Sequence, residues 1–305
     1  MTSDVIITGA NGQLGWELER RTKIKNRTAQ AFDRAKLNIT DADSIKRIID
    51  TTAPKVVINA AAYTAVDKAE TEPAAAFAVN RDGPSNLAET CSTNDIPLIH
   101  VSTDYVFDGT KTGPYNEDDA VAALGVYGAS KLAGEEAIRG RHANHVILRT
   151  AWVYGVHGQN FVKTILKLAE KQSALRVVQD QIGCPTFAGD LADAILKIAD
   201  HFLTDTLPAD GLGTFHCTGR GQTSWCDFAR KVFELAAPTL GDTPTVDGIS
   251  SADYPTPAQR PANSVLVCGK LTRIYGITLR PWQEALAEML ENTLYRDSRT
   301  EKETR

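Results

Sequence analysis

The sequence lacks a long apolar run, an excess of basic residues and any closely spaced pair of cysteines. No stretch approaches the roughly 20 apolar residues that cross a bilayer, so we expect no membrane partner. The net charge of −5 argues against nucleic acid, because phosphate binding needs a basic surface. The five cysteines are scattered and form no C-x-x-C motif, which favours reduced thiols. Since no charged leader or apolar signal core opens the chain, we expect a cytoplasmic protein.

The first half of the chain alternates between strand-like and helix-like patterns. Short apolar runs typical of buried strands lie at 4–10, 28–33, 55–62, 96–107 and 145–155. Helical patterns lie between them at 12–24, 41–53, 73–94 and around Tyr127. Strands that alternate with helices predict a parallel sheet covered on both faces. We therefore predict an α/β fold, a Rossmann-type doubly wound parallel sheet.

The second half is less regular and predicts a smaller, mixed C-terminal substrate domain. Helices are expected at 161–172, 189–203, 224–236 and 281–297, and strands at 175–181 and 213–219. The segment 250–264 is too rich in proline to be regular, and long loops of this kind are often functional. The expected division is a dinucleotide-binding domain at 1–155 that is rejoined by about 185–220, a substrate domain at 156–184 and 221–297, and a frayed tail at 298–305.

A glycine-rich turn connects the first strand to the first helix. The stretch "TGANGQLG" spaces Gly9, Gly12 and Gly15 as G-x-x-G-x-x-G. Glycines there permit a tight turn and a close approach of a pyrophosphate to the helix N-terminus. Asp33 ends the second strand, where an acidic side chain meets the adenosine ribose and favours NAD. Its neighbour Arg34 can meet a 2′-phosphate instead, so both NADPH and NADH stay open as cofactors.

The stretch "VYGASKLAGEE" places Tyr127 and Lys131 four residues apart on one helix face. A free phenol has a pKa near 10, and a neighbouring cation lowers it. We therefore expect Lys131 to tune Tyr127 as the donor of a proton to a carbonyl oxygen. Thr103 lies in "HVSTDYVF", at the predicted carboxyl end of the fourth strand, where ligands bind in this architecture. Its hydroxyl could bond the same oxygen.

These motifs resemble the extended short-chain dehydrogenases/reductases, and within them the dTDP-4-dehydrorhamnose reductase family. The resemblance covers nearly the whole chain. The glycine turn and "VYGASKLAGE" are shared by the broad superfamily, whereas four stretches are much more specific: "AAYTAVDKAE", "STDYVFDG", "RTAWVYG" and "DQIGCPT". The resemblance implies an NAD(P)H-dependent oxidoreductase of dTDP-rhamnose biosynthesis. It would reduce the C4 ketone of dTDP-4-dehydro-β-L-rhamnose to dTDP-L-rhamnose.

The resemblance also implies a role for individual residues. Tyr127 would be the proton donor, Lys131 would hold the nicotinamide ribose, and Thr103 would orient the ketone oxygen. The implied cofactor contacts are Gly12, Gln13 and Leu14 at the pyrophosphate, Asp33 at the adenosine ribose, Asn38 and Ile39 near the adenine, and Ala62, Tyr63 and Thr64 beside the third strand. The implied substrate contacts are Asp104, Trp152 and, at the diphosphate, Arg260.

Other activities on this fold remain to be separated from a reductase. Dehydratases of the superfamily carry an Asp-Glu pair after the threonine, but here Asp104 is followed by Tyr105. Epimerases also use the Tyr–Lys pair, although the specific stretches do not resemble theirs. A non-catalytic dinucleotide-binding regulatory subunit and a reductase of a related 4-keto sugar nucleotide stay open. Some relatives dimerise around magnesium, and Glu17 matches one such position. The remaining acidic positions do not match, so we expect no metal and leave a homodimer open.

Overall fold

A computed structural model describes residues 3–24 and 28–303, without the side chains of residue 24 and of residues 295–303. Six parallel strands form the central sheet, in the order β10-β5-β4-β3-β1-β2. Their bounds are β1 Val5–Thr8, β2 Ala29–Phe32, β3 Val56–Asn59, β4 Leu98–Thr103, β5 His145–Thr150 and β10 Gly213–His216. The predicted doubly wound parallel sheet is confirmed.

Six further strands of the described residues pair outside this sheet. They are β6 Val153–Tyr154, β7 Ala174–Val178, β8 Ile182–Gly183, β9 Thr186–Phe187, β11 Thr223–Ser224 and β12 Thr245–Ile249. Strand β12 pairs with β7 and β6 with β9 in parallel, whereas β11 runs antiparallel to β8. These pairs make the second half a mixed structure.

Helices connect the strands of both halves. Their bounds are α1 Gln13–Ile24, α2 Ala42–Thr52, α3 Val66–Ala69, α4 Pro73–Phe77, α5 Gly83–Thr93, α6 Val126–Arg141, α7 Phe161–Ala169, α8 Ala188–Leu203, α9 Trp225–Leu240, α10 Gly269–Tyr275 and α11 Trp282–Glu303. A π-helical turn at Ala78–Asp82 lies between α4 and α5. Asp41 caps the start of α2, because its side chain accepts from the backbone N–H groups of Asp43 and Ser44.

The apolar core divides into clusters that follow the sheet. Alternate residues of β1 face opposite sides, because Val5 and Ile7 belong to one cluster and Ile6 to another. A third cluster packs α9 and α11 against α7 and β7 in the second half, around Phe228 and Met289. The segment 271–279, placed by prediction in the substrate domain, packs instead against the cluster of Val5 and Ile7.

Several predicted boundaries change. The helix expected at 73–94 contains the π-helical turn, and the strand expected from 96 ends at Thr103, where a short 3₁₀ turn follows. Strand β12 and helix α10 were not predicted from the sequence. The division into domains stays a prediction, as does the frayed tail at 298–305, since residues 304–305 and the tail's side chains lie outside the described part of the chain.

Candidate active site

The glycine turn brings the end of β1 against the end of β3. Gly9 has a φ of 73°, and a Cβ there would lie 2.7 Å from the backbone N of Ala61. A Cβ on Gly15 would lie 2.1 Å from the carbonyl oxygen of Gly9. Only glycine fits these two positions without moving backbone. Helix α1 begins directly afterwards at Gln13, with its first N–H groups at the turn.

A cleft opens at this turn and gathers most of the predicted cofactor residues. Those that line it are Gly9, Gly12, Asp33, Asn38, Ile39, Ala62 and Tyr63, together with Arg34. Leu14 packs in the core, and Gln13 donates through Nε2 to the carbonyl of Val153 at 3.4 Å. Gly15 packs behind the turn and Thr64 is exposed. The cleft therefore includes seven of the predicted positions, and Gln13 instead ties the turn to the second half.

The cleft has the features that a dinucleotide requires. The backbone at Gly9 leaves no room for a side chain, and the N-terminus of α1 favours the negative charge of phosphate. The carboxylate of Asp33 accepts from the backbone N of Lys36 at 3.0 Å, which fixes it at the rim. Arg34 lies beside it and is exposed. A pyrophosphate would fit at this turn, and the rim of the cleft presents an acid and a base, Asp33 and Arg34, to the rest of a dinucleotide.

Thr103, Asp104 and Tyr127 meet at the carboxyl end of β4. Thr103 donates from its hydroxyl to Oδ1 of Asp104 at 3.0 Å and accepts from the backbone N of Tyr105. Its side chain also lies close enough to Tyr127, in the first turn of α6, to act on the pKa of that phenol. Asp104 is buried, and its Oδ2 has no hydrogen-bond partner among the described residues. This edge presents a phenol, a hydroxyl and an unpaired carboxylate oxygen.

Burial dominates the ionisation of this edge. It raises the pKa of Tyr127 to about 12, the nearby side chain of Thr103 opposes that rise, and the charge of Asp104 adds to it. The direction is opposite to the lowering expected from Lys131. Burial also raises the pKa of Asp104 to about 6, and the nearby hydroxyls of Ser264 and Thr103 oppose this rise. Tyr127 is therefore a protonated phenol at neutral pH, whereas the carboxyl of Asp104 changes its charge near pH 6.

Lys131 is buried under the same helix and points into the sheet. Its Nζ donates to the carbonyl of Val101 at 2.7 Å and lies 3.2 Å from Nε2 of His100. Burial lowers the pKa of Lys131 to about 8, while the charge of Glu135 opposes this. In this structure the ammonium is directed towards β4, which explains why its charge does not lower the pKa of Tyr127.

Two residues that the sequence analysis did not single out hold the start of α6. Glu70 accepts from the backbone N of Val126 at 2.8 Å, where the helix N-terminus favours a carboxylate. Asn80, in the π-helical turn, exchanges hydrogen bonds with the backbone of Tyr63 and donates to Ser130 at 3.0 Å. In the sequence, Asn80 follows a run of small and apolar residues at 74–79, and a polar side chain at that place is the signal that could have indicated it.

A second cleft lies beside the edge formed by Thr103, Asp104 and Tyr127, which we name the catalytic edge. Arg260 is part of this cleft. Its lining is Phe161, Thr164, Ile165, Leu168, Gln172, Ala174, Leu175, Arg176, Val177, Val178, Gln181, Trp225, Tyr254, Thr256 and Arg260. Arg260 forms an ion pair with Asp67 at 2.8 Å and lies near Tyr105. The ring of Tyr105 meets that of Tyr127 edge-on, with 5.5 Å between centroids. Arg260 is thereby one residue removed from Tyr127.

Trp152 connects the second cleft to the end of β5. Its ring stacks on Trp225 with 3.6 Å between centroids. Its φ of 47° is unusual for a large side chain and costs on the order of 1–3 kcal/mol. Gly183 makes the position possible, since a Cβ there would lie 2.4 Å from the Trp152 ring. Strain held in place in this way is common at binding sites.

Within residues 3–24 and 28–303, no group of three or more His, Cys, Asp or Glu side chains could hold a metal ion. Glu17 is buried and is held by Arg20 and Arg21 on its own helix. None of the described helices combines the length and the apolar character needed to cross a bilayer.

Comparison with known sequences gives a matching family model and relatives that are similar over most of the chain. The family model of the RmlD substrate binding domain matches residues 3–295. The dTDP-4-dehydrorhamnose reductase of Sinorhizobium fredii is 45% identical over 93% of this chain and 95% of its own length. That of Aggregatibacter actinomycetemcomitans is 44% identical over 92% of this chain and 96% of its own.

Solved structures agree in fold. A dTDP-4-dehydrorhamnose reductase of Clostridium acetobutylicum superposes with a TM-score of 0.87 at 40% identity, over 94% of this chain and 98% of that one. The Bacillus anthracis enzyme of the same name, in complex with NADP, has a TM-score of 0.88 at 35% identity, over 96% of this chain and 100% of that one. The chain therefore belongs to the RmlD substrate binding domain family, whose relatives named above are dTDP-4-dehydrorhamnose reductases.

Proposed function

We propose that this protein is a dTDP-4-dehydrorhamnose reductase, which uses NADPH or NADH to reduce the C4 ketone of dTDP-4-dehydro-β-L-rhamnose to dTDP-L-rhamnose. The observation that carries the proposal is the meeting of Thr103 and Tyr127 beside a cleft that fits a dinucleotide. Relatives of this name at 45% and 44% identity support the choice of sugar nucleotide.

The reaction adds a hydride to C4 of the sugar and a proton to its oxygen. When bound, the reduced nicotinamide supplies the hydride. Tyr127 is protonated at neutral pH because burial raises its pKa to about 12, so its hydroxyl can donate the proton to the ketone oxygen. Thr103, whose side chain lies close enough to act on the pKa of Tyr127, would hold the same oxygen. The carbon gains a hydrogen, the oxygen gains a proton, and the ketone becomes an alcohol.

The substrate would lie between the catalytic edge and the second cleft. Oδ2 of Asp104 is a buried acceptor that a sugar hydroxyl would satisfy. Trp152, stacked on Trp225, would present an aromatic ring to the sugar, and Arg260 would supply a cation for the diphosphate. The nucleoside would then follow the cleft between Trp225 and Tyr254. Asp33 and Arg34 give the cofactor cleft one group for each dinucleotide, which supports the use of both.

The proposal is tested by oxidation of NADH or NADPH, followed at their absorbance. The ketone is made in situ by its upstream enzymes, and the product is identified by mass and by NMR of the sugar. We expect consumption that is stoichiometric with the ketone and occurs only when this protein is present. Cofactor binding without consumption would contradict the proposal and favour a non-catalytic subunit, whereas turnover of another 4-keto sugar alone would replace the substrate.

A cytoplasmic location and a homodimer remain parts of the proposal. All five cysteines are free thiols, which supports a reducing compartment. Sedimentation of the purified protein would establish its oligomeric state.

A further inference from the structure

The loop between β6 and α7 crosses from the second half of the chain to the glycine turn. We name its residues 155–160 the strap. Nε2 of His157, in the strap, lies 3.2 Å from the carbonyl oxygen of Asn11, a residue that lines the cofactor cleft. The ring of His157 also stacks on Trp16, with 5.2 Å between centroids and 7° between planes. The strap therefore contacts both the glycine turn and the first turn of α1.

The side chain of Gln13 bonds to the second half through both ends of its amide. Nε2 donates to the carbonyl of Val153 at 3.4 Å, and Oε1 accepts from Nδ2 of Asn160 at 3.0 Å. Nδ2 of Asn160 also donates to the carbonyl of Gly155 at 2.8 Å. Because these two carbonyls can only accept, they fix the orientation of both amides. Two side chains thereby connect three backbone segments, which are α1, β6 and the strap.

The far end of this bridge leads to the aromatic side chains of the second cleft. Oδ1 of Asn160 accepts from a backbone N–H in the first turn of α7 at 3.1 Å and so caps that helix. The helix begins with Phe161, whose ring lies 4.6 Å from that of Trp225, and Trp225 stacks on Trp152. We name these three rings the aromatic wall. Val153, which the bridge also contacts, directly follows Trp152, so the bridge reaches the wall from both sides.

We propose that Gln13 and Asn160 are positioning residues, which set the distance between the glycine turn and the aromatic wall and thereby between the hydride donor and the ketone. The proposal rests on the reductase function, because only there must the ligands of the two clefts react with each other. Gln13 is the first residue of α1, where a pyrophosphate would meet the free N–H groups of the helix. The residue at the phosphates is thus also the one that holds the wall. A misplacement of reacting groups by roughly 1 Å can slow a reaction by about 10²-fold.

Hydrogen exchange of the ligand-free protein, read by mass spectrometry, tests the bridge without a substrate. Gln13→Met keeps the length of the side chain and removes its amide. We expect exchange at residues 153–165 to become about 2–10-fold faster, since hydrogen bonds to β6 and the strap are lost. Exchange in α5, which packs on the other face of the sheet, should not change. The matched control on α1 is Glu19→Gln, which loses an exposed ion pair with Lys23 and should leave 153–165 unaffected. Unchanged exchange at 153–165 in Gln13→Met would overturn the proposal.

Asn160→Ser tests the positioning itself. Serine also caps helices, so α7 keeps its start, whereas the bond to Gln13 is lost. We expect kcat to fall by about 10-fold, with KM for the ketone and for NADPH each within about 2-fold of the unmodified protein. The primary isotope effect with NADPH deuterated at the transferred position should rise, because hydride transfer slows relative to product release. A merely structural role would lower the melting temperature and the active fraction and leave the isotope effect unchanged, which would contradict the proposal.

The double variant Gln13→Met/Asn160→Ser shows whether the two residues act through one bond. We expect it to be no slower than the slower single variant, since the effects of residues that share an interaction do not add. Multiplied losses would mean that the two side chains act separately and would overturn the pair. Asn292→Ser, which loses an exposed bond within α11, is the control and should keep kcat and the isotope effect. If the unmodified protein reduces no ketone, the proposed function fails, whereas hydrogen exchange still decides whether the bridge holds the wall.

Discussion

The cleft at the glycine turn and the cleft beside Arg260 differ in what gives them their shape. The first is formed by backbone, where Gly9 and Gly15 bring β1, α1 and β3 together closely enough to exclude a side chain. The second is formed by side chains from distant parts of the chain, such as Arg260 with Asp67 and Trp152 with Trp225. A backbone cleft has one shape and one class of ligand, whereas a side-chain cleft can change its specificity by substitution.

The catalytic edge between the clefts should give the largest effect. Tyr127→Phe removes the proton donor and keeps the ring, so we expect kcat to fall by about 10²–10⁴-fold with little change in NADPH affinity. Tyr275→Phe is the matched control, because its hydroxyl bonds the carbonyl of Gly211 within the core. Stopped-flow rates and cofactor titration measure both quantities. Near-normal turnover in Tyr127→Phe would exclude this residue as the donor.

The backbone cleft is broken most directly at Gly9. An alanine there would have an unfavourable φ and a Cβ 2.7 Å from the backbone N of Ala61. The strain alone costs on the order of 1–3 kcal/mol, so we expect cofactor affinity to fall by about 10²-fold, with a lower melting temperature. Gly140→Ala lies in open space at an exposed turn of α6 and should leave affinity unchanged. Unaltered binding by Gly9→Ala would mean that the turn has room to move.

On the substrate side, the ionisation of Asp104 can be tested through the stability of the fold. Its pKa is raised to about 6 by burial, so the stability gained by keeping it protonated is lost as pH rises through about 6. Asp104→Asn removes that ionisation and should stabilise the fold by about 1–3 kcal/mol near pH 8, but little near pH 4. Asp119, whose pKa Lys111 lowers, is the opposite control: Asp119→Asn should destabilise near pH 8. Denaturant unfolding at both pH values decides, and equal effects of the two variants contradict this assignment.

Asp33 and Arg34 test how strongly the cleft at the glycine turn discriminates between NADH and NADPH. Loss of the ribose contact in Asp33→Ala should weaken NADH binding by about 10-fold, since a hydrogen bond to a charged group contributes about 1.5–3 kcal/mol. NADPH should lose less, because Arg34 meets its 2′-phosphate. The reciprocal variant Arg34→Ala should weaken NADPH more than NADH. Fluorescence titration with both dinucleotides measures the ratio, and equal losses in Asp33→Ala would remove the ribose contact.

The same contrast explains what could be predicted from the sequence. The turn at Gly9, the acid at Asp33 and the strand-end Thr103 are local patterns, and the parallel sheet follows from strands that alternate with helices. The bond between Gln13 and Asn160 was not found, because the two residues lie 147 positions apart in the chain. The pKa direction of Tyr127 also failed, because it depends on where Nζ of Lys131 points and not on helical spacing.

Asp67→Asn should give the smallest effect. It tests whether the two clefts are independent of each other. Asp67 holds Arg260 at 2.8 Å and accepts from the backbone N of Ala258, so it orients the proline-rich loop over the second cleft. The pair is partly exposed, and such pairs contribute roughly 0–1 kcal/mol. We therefore expect KM for the sugar nucleotide to rise by about 2–5-fold, with KM for NADPH unchanged. Asp50→Asn, which loses the exposed pair with Lys46, should change neither. If Asp67→Asn raised KM for NADPH instead, the loop would belong to the cofactor cleft, and the two clefts would not be independent.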